Sequence, residues 1–227
     1  MKSKDLLIFD MDGVLVDVSD SYRETIHQTV EHFTGAPVSP ELIQEFKNRG
    51  GFNDDWALSF RLIRDAGFEP GYNTIVNYFQ SIFHGTNGDG LIRRERWMAA
   101  DGLFERLCMG AELSVFTGRL RWEANITLDR FAPGVFAPVI GSDDVAATKP
   151  HPDGLIKIRE AVPHGRAFYM GDTVDDARAA KGAGVPFIGI LGQRTPNRVE
   201  SERILRNEGA IAVLENINAL EPLLQTL

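Results

Sequence analysis

The sequence predicts an α/β fold: a parallel sheet with helices on both faces, plus an inserted all-helical domain. Three observations carry this. The chain opens on an apolar run, Leu6-Leu7-Ile8-Phe9, that ends in Asp10-Met11-Asp12-Gly13, the pattern of a buried strand emptying into a loop. From Ala111 onward, apolar runs of strand length alternate with amphipathic runs of helical length, as in a sheet whose crossovers are helices. Between these lies a long stretch with helical spacing and no strand.

In chain order, the first strand covers residues 6–9. Residues 19–34, 40–49, 54–66 and 72–84 then each show apolar residues at three- and four-residue spacing, which predicts four helices. Ser39-Pro40-Glu41 reads as an N-cap with proline at the first helical position, and Gly35, Gly50-Gly51, Gly67 and Gly85 punctuate the ends. The alternating half follows: strand 113–116, helix 120–131, strand 135–140, helix 152–161, strand 167–170, helix 174–181 and strand 185–191. The helical block is therefore an insertion, giving a core of residues 1–16 and 97–227 and a lobe of residues 17–96.

Composition narrows the function. A chain of 227 residues with 43% hydrophobic and 25% charged residues is ordinary for a globular protein. A formal net charge of -8 argues against nucleic acid, whose phosphates are bound by clustered Lys and Arg, so an anionic ligand needs local groups or a metal. The single cysteine, Cys108, forms no internal disulfide and is expected as a buried structural thiol. No apolar run approaches the roughly 18 residues of a membrane span, and residues 6–9 are too short for a signal-peptide core. The expected location is cytoplasmic, which leaves the Asn125-Ile126-Thr127 sequon without consequence. Nothing in the sequence speaks to the oligomeric state.

Four polar clusters follow four apolar runs: Asp10 and Asp12; Thr117-Gly118-Arg119; Lys149-Pro150; and Gly171-Asp172-Thr173-Val174-Asp175-Asp176. In a parallel sheet all four fall at the carboxyl ends of strands, where open α/β folds bind ligands. Side chains two apart on an extended segment point the same way, so Asp10 and Asp12 face one volume if extension persists through Met11. Packing acids together costs repulsion and desolvation that a cation or a reaction must offset.

In order, spacing and strand context these clusters resemble the four motifs of the haloacid dehalogenase superfamily, specifically its phosphatase branch with a small helical cap inserted after the first motif. The resemblance implies a Rossmann-like core, a Mg²⁺ cofactor and hydrolysis of a small soluble phosphomonoester, such as a sugar phosphate or a phosphoglycolate-like acid. It implies Asp10 as the nucleophile that forms an aspartyl phosphate, and Asp12 as general acid and then base, its backbone carbonyl also binding the metal. Thr117 and the Gly118 amide would hold phosphoryl oxygens, and Lys149 would neutralise charge. Asp172 would complete the protein's direct share of the metal shell, and Asp176 would support that shell or pair with the lysine. In the lobe, Arg49 and Asn53 are the candidates to reach the substrate's leaving group.

Other readings compete. Asp10 to Gly13 is also a turn sequence, Thr117-Gly118 also suits a helix cap, and Asn53 or Asp54 also suits the N-cap of the lobe's third helix. Arg119 reads as structural or substrate-adjacent, and Asp17 as a hinge residue that contacts substrate or solvates the linker. Thr173 reads as a cap, Tyr169 and Met170 as strand core, Asp143-Asp144 as a loop or cap, and His151 and the run Arg93 to Arg96 as solvated. Within the superfamily, Asp12 argues against dehalogenation, and a phosphonatase would need Lys47 over the site. A phosphosugar mutase on the same core and a phospho-ligand-binding protein without turnover are the alternatives.

Overall fold

The computed structural model describes residues 3–227. In chain order its elements are β1 (Asp5–Phe9), β2 (Val16–Asp17), α1 (Tyr22–Thr34), α2 (Pro40–Arg49), α3 (Asp55–Asp65), α4 (Tyr72–His84) and β3 (Arg96–Trp97). The second half runs α5 (Leu103–Cys108), β4 (Ala111–Phe116), α6 (Arg121–Phe131), β5 (Val139–Ile140), α7 (Asp153–Ala161), β6 (Ala167–Gly171) and α8 (Val174–Ala183). It closes with β7 (Phe187–Ile190), α9 (Arg198–Asn207), β8 (Ala212–Leu214) and α10 (Leu220–Leu224).

Six strands form one sheet in the order β5-β4-β1-β6-β7-β8, and every neighbouring pair in it is parallel. A parallel central strand has both faces covered, so it reads as continuous apolar sequence rather than alternation; Leu6 to Phe9 are all fully buried. The chain leaves β1 toward β4 and β5 and returns on the other side at β6. The loops after β1 and β6 therefore diverge, which opens a crevice at their carboxyl ends. Register fixes what lies there: Phe9 stands opposite Val115 on one side and Met170 on the other.

The backbone contacts divide the chain into two compact units. One consists of the residues up to Val16 with Trp97–Leu227, the other of Asp17–Arg96. The chain crosses between them at β2 and β3, which pair as a two-stranded ribbon. The helical unit has its own core of Ile26, Leu58, Ile63, Ile75, Phe79 and Phe83. Its helix starts follow local chemistry. Ser39 Oγ accepts from Leu42 N at 3.1 Å ahead of Pro40, and Asp54 Oδ1 accepts from Trp56 N at 2.8 Å.

Several expectations change in detail. The strand expected over residues 135–140 shrinks to β5, because Pro138 has no N–H for the ladder and Val135 N turns back to Ala132 O. Pro186 likewise delays β7, while Val185 N closes the end of α8 on Ala180 O. Residues 192–227, to which the sequence reading assigned no element, hold α9, β8 and α10. Cys108 is half-buried rather than buried, since it ends a short surface helix; burial still pushes its thiol up. Among the described residues no helix is long and apolar enough to cross a membrane.

Candidate active site

Asp10 is fixed by backbone before side chains enter. Its N–H donates to Met170 O at 2.8 Å, extending the β1–β6 ladder one residue past Phe9, so the carboxylate sits buried at the strand end. The chain then folds into a tight turn in which Met11 O accepts from the amides of Val14, Leu15 and Val16 and Gly13 N donates to Val16 O. Gly13 adopts φ +77°, and a Cβ there would lie 2.3 Å from Asp172 Oδ2. Both the backbone conformation and the close approach require glycine.

Lys149 is the centre of the charge network. Its Nζ lies 2.9 Å from Asp10 Oδ1 and 2.7 Å from Asp176 Oδ1, with the lysine and Asp176 side chains 1% and 0% exposed. It also donates to the Tyr169 hydroxyl at 3.1 Å, and that hydroxyl donates to Asp176 Oδ1 at 2.7 Å. Asp176 Oδ2 accepts from Thr173 Oγ1 at 2.6 Å, Thr173 N at 3.0 Å and Asp172 N at 3.2 Å. Thr173 Oγ1 in turn accepts from Asp176 N, completing a capping box at the start of α8.

These partners set the ionisation pattern. Burial alone would raise the Asp176 carboxyl, but the Lys149 charge and the hydrogen bonds from Lys149, Thr173 and Tyr169 outweigh it and hold it low. Asp10 goes the other way. Burial pushes its carboxyl well up; Lys149 opposes this, while the negative charges of Asp176, Asp12 and Asp172 add to it. Burial would lower the Lys149 ammonium, but Asp10 and Asp176 outweigh that and raise it. Burial, Asp176 and Asp10 keep Tyr169 a neutral phenol and therefore a donor.

One carboxylate oxygen each of Asp10, Asp172 and Asp176 falls within 4.8 Å of the others, a hard-oxygen set of the kind that suits Mg²⁺. Asp176 already serves Lys149, Tyr169 and Thr173. Asp10 and Asp172 are thus the carboxylates that could hold a cation directly. Thr117 is buried one residue beyond β4, and its N–H donates to Ile140 O at 3.0 Å; Gly118 next to it is partly exposed.

The structure places Asp10, Asp12, Thr117, Gly118, Lys149, Asp172 and Asp176 in the sheet unit. Asp12 pairs with Arg119 at 2.5 Å, and its charge acts on Asp10. Arg49 and Asn53 belong to the helical unit. There Arg49 pairs with Glu45 at 2.5 Å and lies 5.0 Å from the Phe46 ring centroid, so it is engaged along its own helix. Asp54, not Asn53, caps α3, and Lys47 pairs with Asp55 at 2.5 Å. His151 is exposed and pairs with Asp153, while Asp143 Oδ1 accepts from Arg121 N at the start of α6. Asp17 pairs with Arg96, which also reaches Asp20. The run 93–96 is not uniformly solvated, because Glu95 within it is buried.

Tyr169 was legible only as strand core, which it is; the hydroxyl's role in the Lys149 network was not. The available signal was a phenol in an otherwise apolar strand, three residues before Asp172, since a buried hydroxyl requires a partner. Tyr169→Phe is expected to cost about 1.5–3 kcal/mol, the range for a hydrogen bond to a charged group. Urea denaturation checks this, and a loss under about 0.5 kcal/mol would show that Asp176 does not depend on the hydroxyl.

Comparison with known proteins fits this geometry. The family model for haloacid dehalogenase-like hydrolases matches residues 4–184. A protein of Phytophthora nicotianae named imidazoleglycerol-phosphate dehydratase is 33% identical over 94% of this chain, which spans about half (48%) of that relative's length. A phosphoglycolate phosphatase of Rhodobacter capsulatus is 27% identical over 80% of this chain and 82% of its own. Among solved structures, a haloacid dehalogenase-like protein from Agrobacterium tumefaciens superposes with a TM-score of 0.76 at 20% identity, covering 98% of each chain; this likeness bears on the fold.

Proposed function

We propose, from the premise that the chain belongs to the haloacid dehalogenase-like hydrolases, that it is a Mg²⁺-dependent phosphatase acting on a small soluble phosphomonoester through an aspartyl phosphate on Asp10. The observation that carries this reading is Lys149 held between Asp10 and Asp176, with Asp172 beside them, at the carboxyl ends of β1 and β6. The named activity of the Rhodobacter relative favours a phosphoglycolate-like acid or a sugar phosphate as the substrate class.

Asp10 attacks phosphorus in line with the ester oxygen, and its buried, ladder-fixed backbone sets the direction of attack. Asp12 gives a proton to the leaving oxygen and later takes one from the water that attacks the phosphoenzyme. Lys149, Thr117 and the Gly118 amide hold the phosphoryl oxygens as charge shifts among them. Asp10, Asp172 and the Asp12 carbonyl would hold Mg²⁺, with Asp176 behind them. Bound there, the ion offsets the repulsion between the carboxylates and an anionic substrate. The helical unit is the lobe inserted after the first motif, with Arg49 and Asn53 as its candidates for reading the leaving group. The location that suits a soluble substrate is the cytoplasm.

Inorganic phosphate release from a panel of sugar phosphates, phosphoglycolate and an aryl phosphate, with Mg²⁺ and with chelator, tests the proposal. Release that requires the metal is expected. Folded protein releasing none from any compound would refute it and return weight to a mutase or a binding role.

A further inference from the structure

Arg119 is almost fully enclosed, its side chain 1% exposed against 29% for Asp12. Its Nε and Nη2 donate to the same oxygen, Asp12 Oδ1, at 2.9 and 2.5 Å. Its Nη1 donates to Thr127 Oγ1 at 3.0 Å, and Thr127 is itself buried on α6. The backbone is pinned as well, since Arg119 N donates to Thr117 Oγ1 and Arg119 O accepts from Ser142 N. A guanidinium anchored at its far nitrogen and through its main chain has little freedom to follow its partner. It is a fixed fork to which a more exposed carboxylate is tied.

We infer that Arg119 is a positioning residue for the acid–base step: it holds Asp12 by Oδ1 and leaves Oδ2 as the oxygen that exchanges the proton. This rests on the phosphatase reading above. In the first half-reaction the Oδ2–H bond breaks and its proton passes to the ester oxygen, as that oxygen leaves phosphorus and Asp10 bonds to it. In the second, Oδ2 takes a proton from water as the water oxygen bonds to phosphorus and the Asp10–phosphorus bond breaks. A free carboxylate would present either oxygen over a range of directions, and the fork restricts both choices.

The test uses leaving groups of different basicity. An alkyl phosphate needs its departing oxygen protonated, whereas an aryl phosphate with an acidic phenol does not. Arg119→Met is expected to lower kcat/KM, which reports the phosphoryl-transfer step, about 10- to 100-fold on an alkyl phosphate and under about threefold on 2,4-dinitrophenyl phosphate. Arg119→Lys should recover part of the loss, since it restores the charge but not the fork. Thr127→Val, which leaves Arg119 in place and removes the hydroxyl that its Nη1 donates to, should show the same pattern more weakly and serves if the methionine variant does not fold.

In the Asp12→Asn background, Arg119→Met should cost nothing further, because the group it positions is gone. Equal losses of kcat/KM on both substrates, or full additivity with Asp12→Asn, would overturn the role of Arg119 while leaving the phosphatase reading intact. An Asp12→Asn enzyme with no leaving-group dependence would remove Asp12 as the acid, and the Arg119 proposal with it.

Discussion

Asp10→Asn should eliminate phosphate release while making the metal-free protein more stable. The amide keeps the shape of the carboxylate but is far less nucleophilic, so turnover should fall by about 10⁴-fold or more. The stability gain follows from the charge balance. Burial raises the Asp10 carboxyl well above its usual range, with three neighbouring acids adding to the effect of burial and Lys149 opposing it. A group whose folded-state value is raised contributes stability that is complete below its unfolded value, near 3.9, and is lost as pH rises through the folded value.

Once pH has risen through the folded value, the Asp10 carboxylate is therefore a cost that asparagine does not carry. In chelator the variant should melt about 2–4 °C above wild type for each kcal/mol relieved, and the difference should shrink as pH falls. Magnesium should raise the wild-type midpoint more than the variant's, because the variant has lost a charged ligand. Thermal melts with chelator and with Mg²⁺ check both. A variant less stable than wild type in chelator would mean that the Lys149 ion pair outweighs the repulsion.

Lys149→Met should act in the opposite direction on stability. The methionine fills similar volume but leaves Asp10 and Asp176 buried without the cation that both contact. Removing one partner of a buried ion pair typically costs about 3–5 kcal/mol, a large part of a domain's stability. Activity should fall about 10³-fold, as when a transition-state charge loses its stabilising partner.

The sign of the pH dependence is set by the two directions. Asp176 is held low, so its contribution is present above the unfolded carboxylate value and lost as pH falls through the folded one. Lys149 is raised, so its contribution is complete below about 10.4 and lost only above it. The stability gap between wild type and Lys149→Met should thus narrow as pH falls from about 10 toward 5, because without Lys149 the buried carboxyls of Asp10 and Asp176 take up protons more readily. Urea denaturation across that range measures it, and a gap under about 1 kcal/mol at neutral pH would mean that Lys149 is not what makes the acidic cluster tolerable.

The sheet was readable where burial on both faces leaves unbroken apolar sequence, as in Leu6 to Phe9, and where glycine and acids follow at once. The helical stretch was readable from its spacing and caps: Pro40–Arg49 and Tyr72–His84 have the bounds that the pattern predicts. The short elements were not. Val16–Asp17 and Arg96–Trp97 are too brief to show a period, and β8 carries only Ala212-Val213-Leu214, half-buried throughout.

At the site, residue type and spacing showed which groups gather at the strand ends but not how they pair. That Asp176 accepts from Lys149, Tyr169 and Thr173 depends on α8 starting right after β6. That Arg119 takes hold of Asp12 depends on the β1–β4 pairing, which brings the end of β4 beside the loop after β1. Neither is a property of local sequence. Both follow from tertiary placement.

The central claim is that Asp10 itself becomes phosphorylated. Rapid-quenched Asp12→Asn enzyme, incubated with Mg²⁺ and an aryl phosphate, should accumulate the acyl phosphate, because hydrolysis of the intermediate has lost its base. Borohydride reduction followed by peptide mapping should then find homoserine at position 10 and nowhere else. Steady phosphate release with no reduced residue at position 10, or with the label on another side chain, would contradict the account.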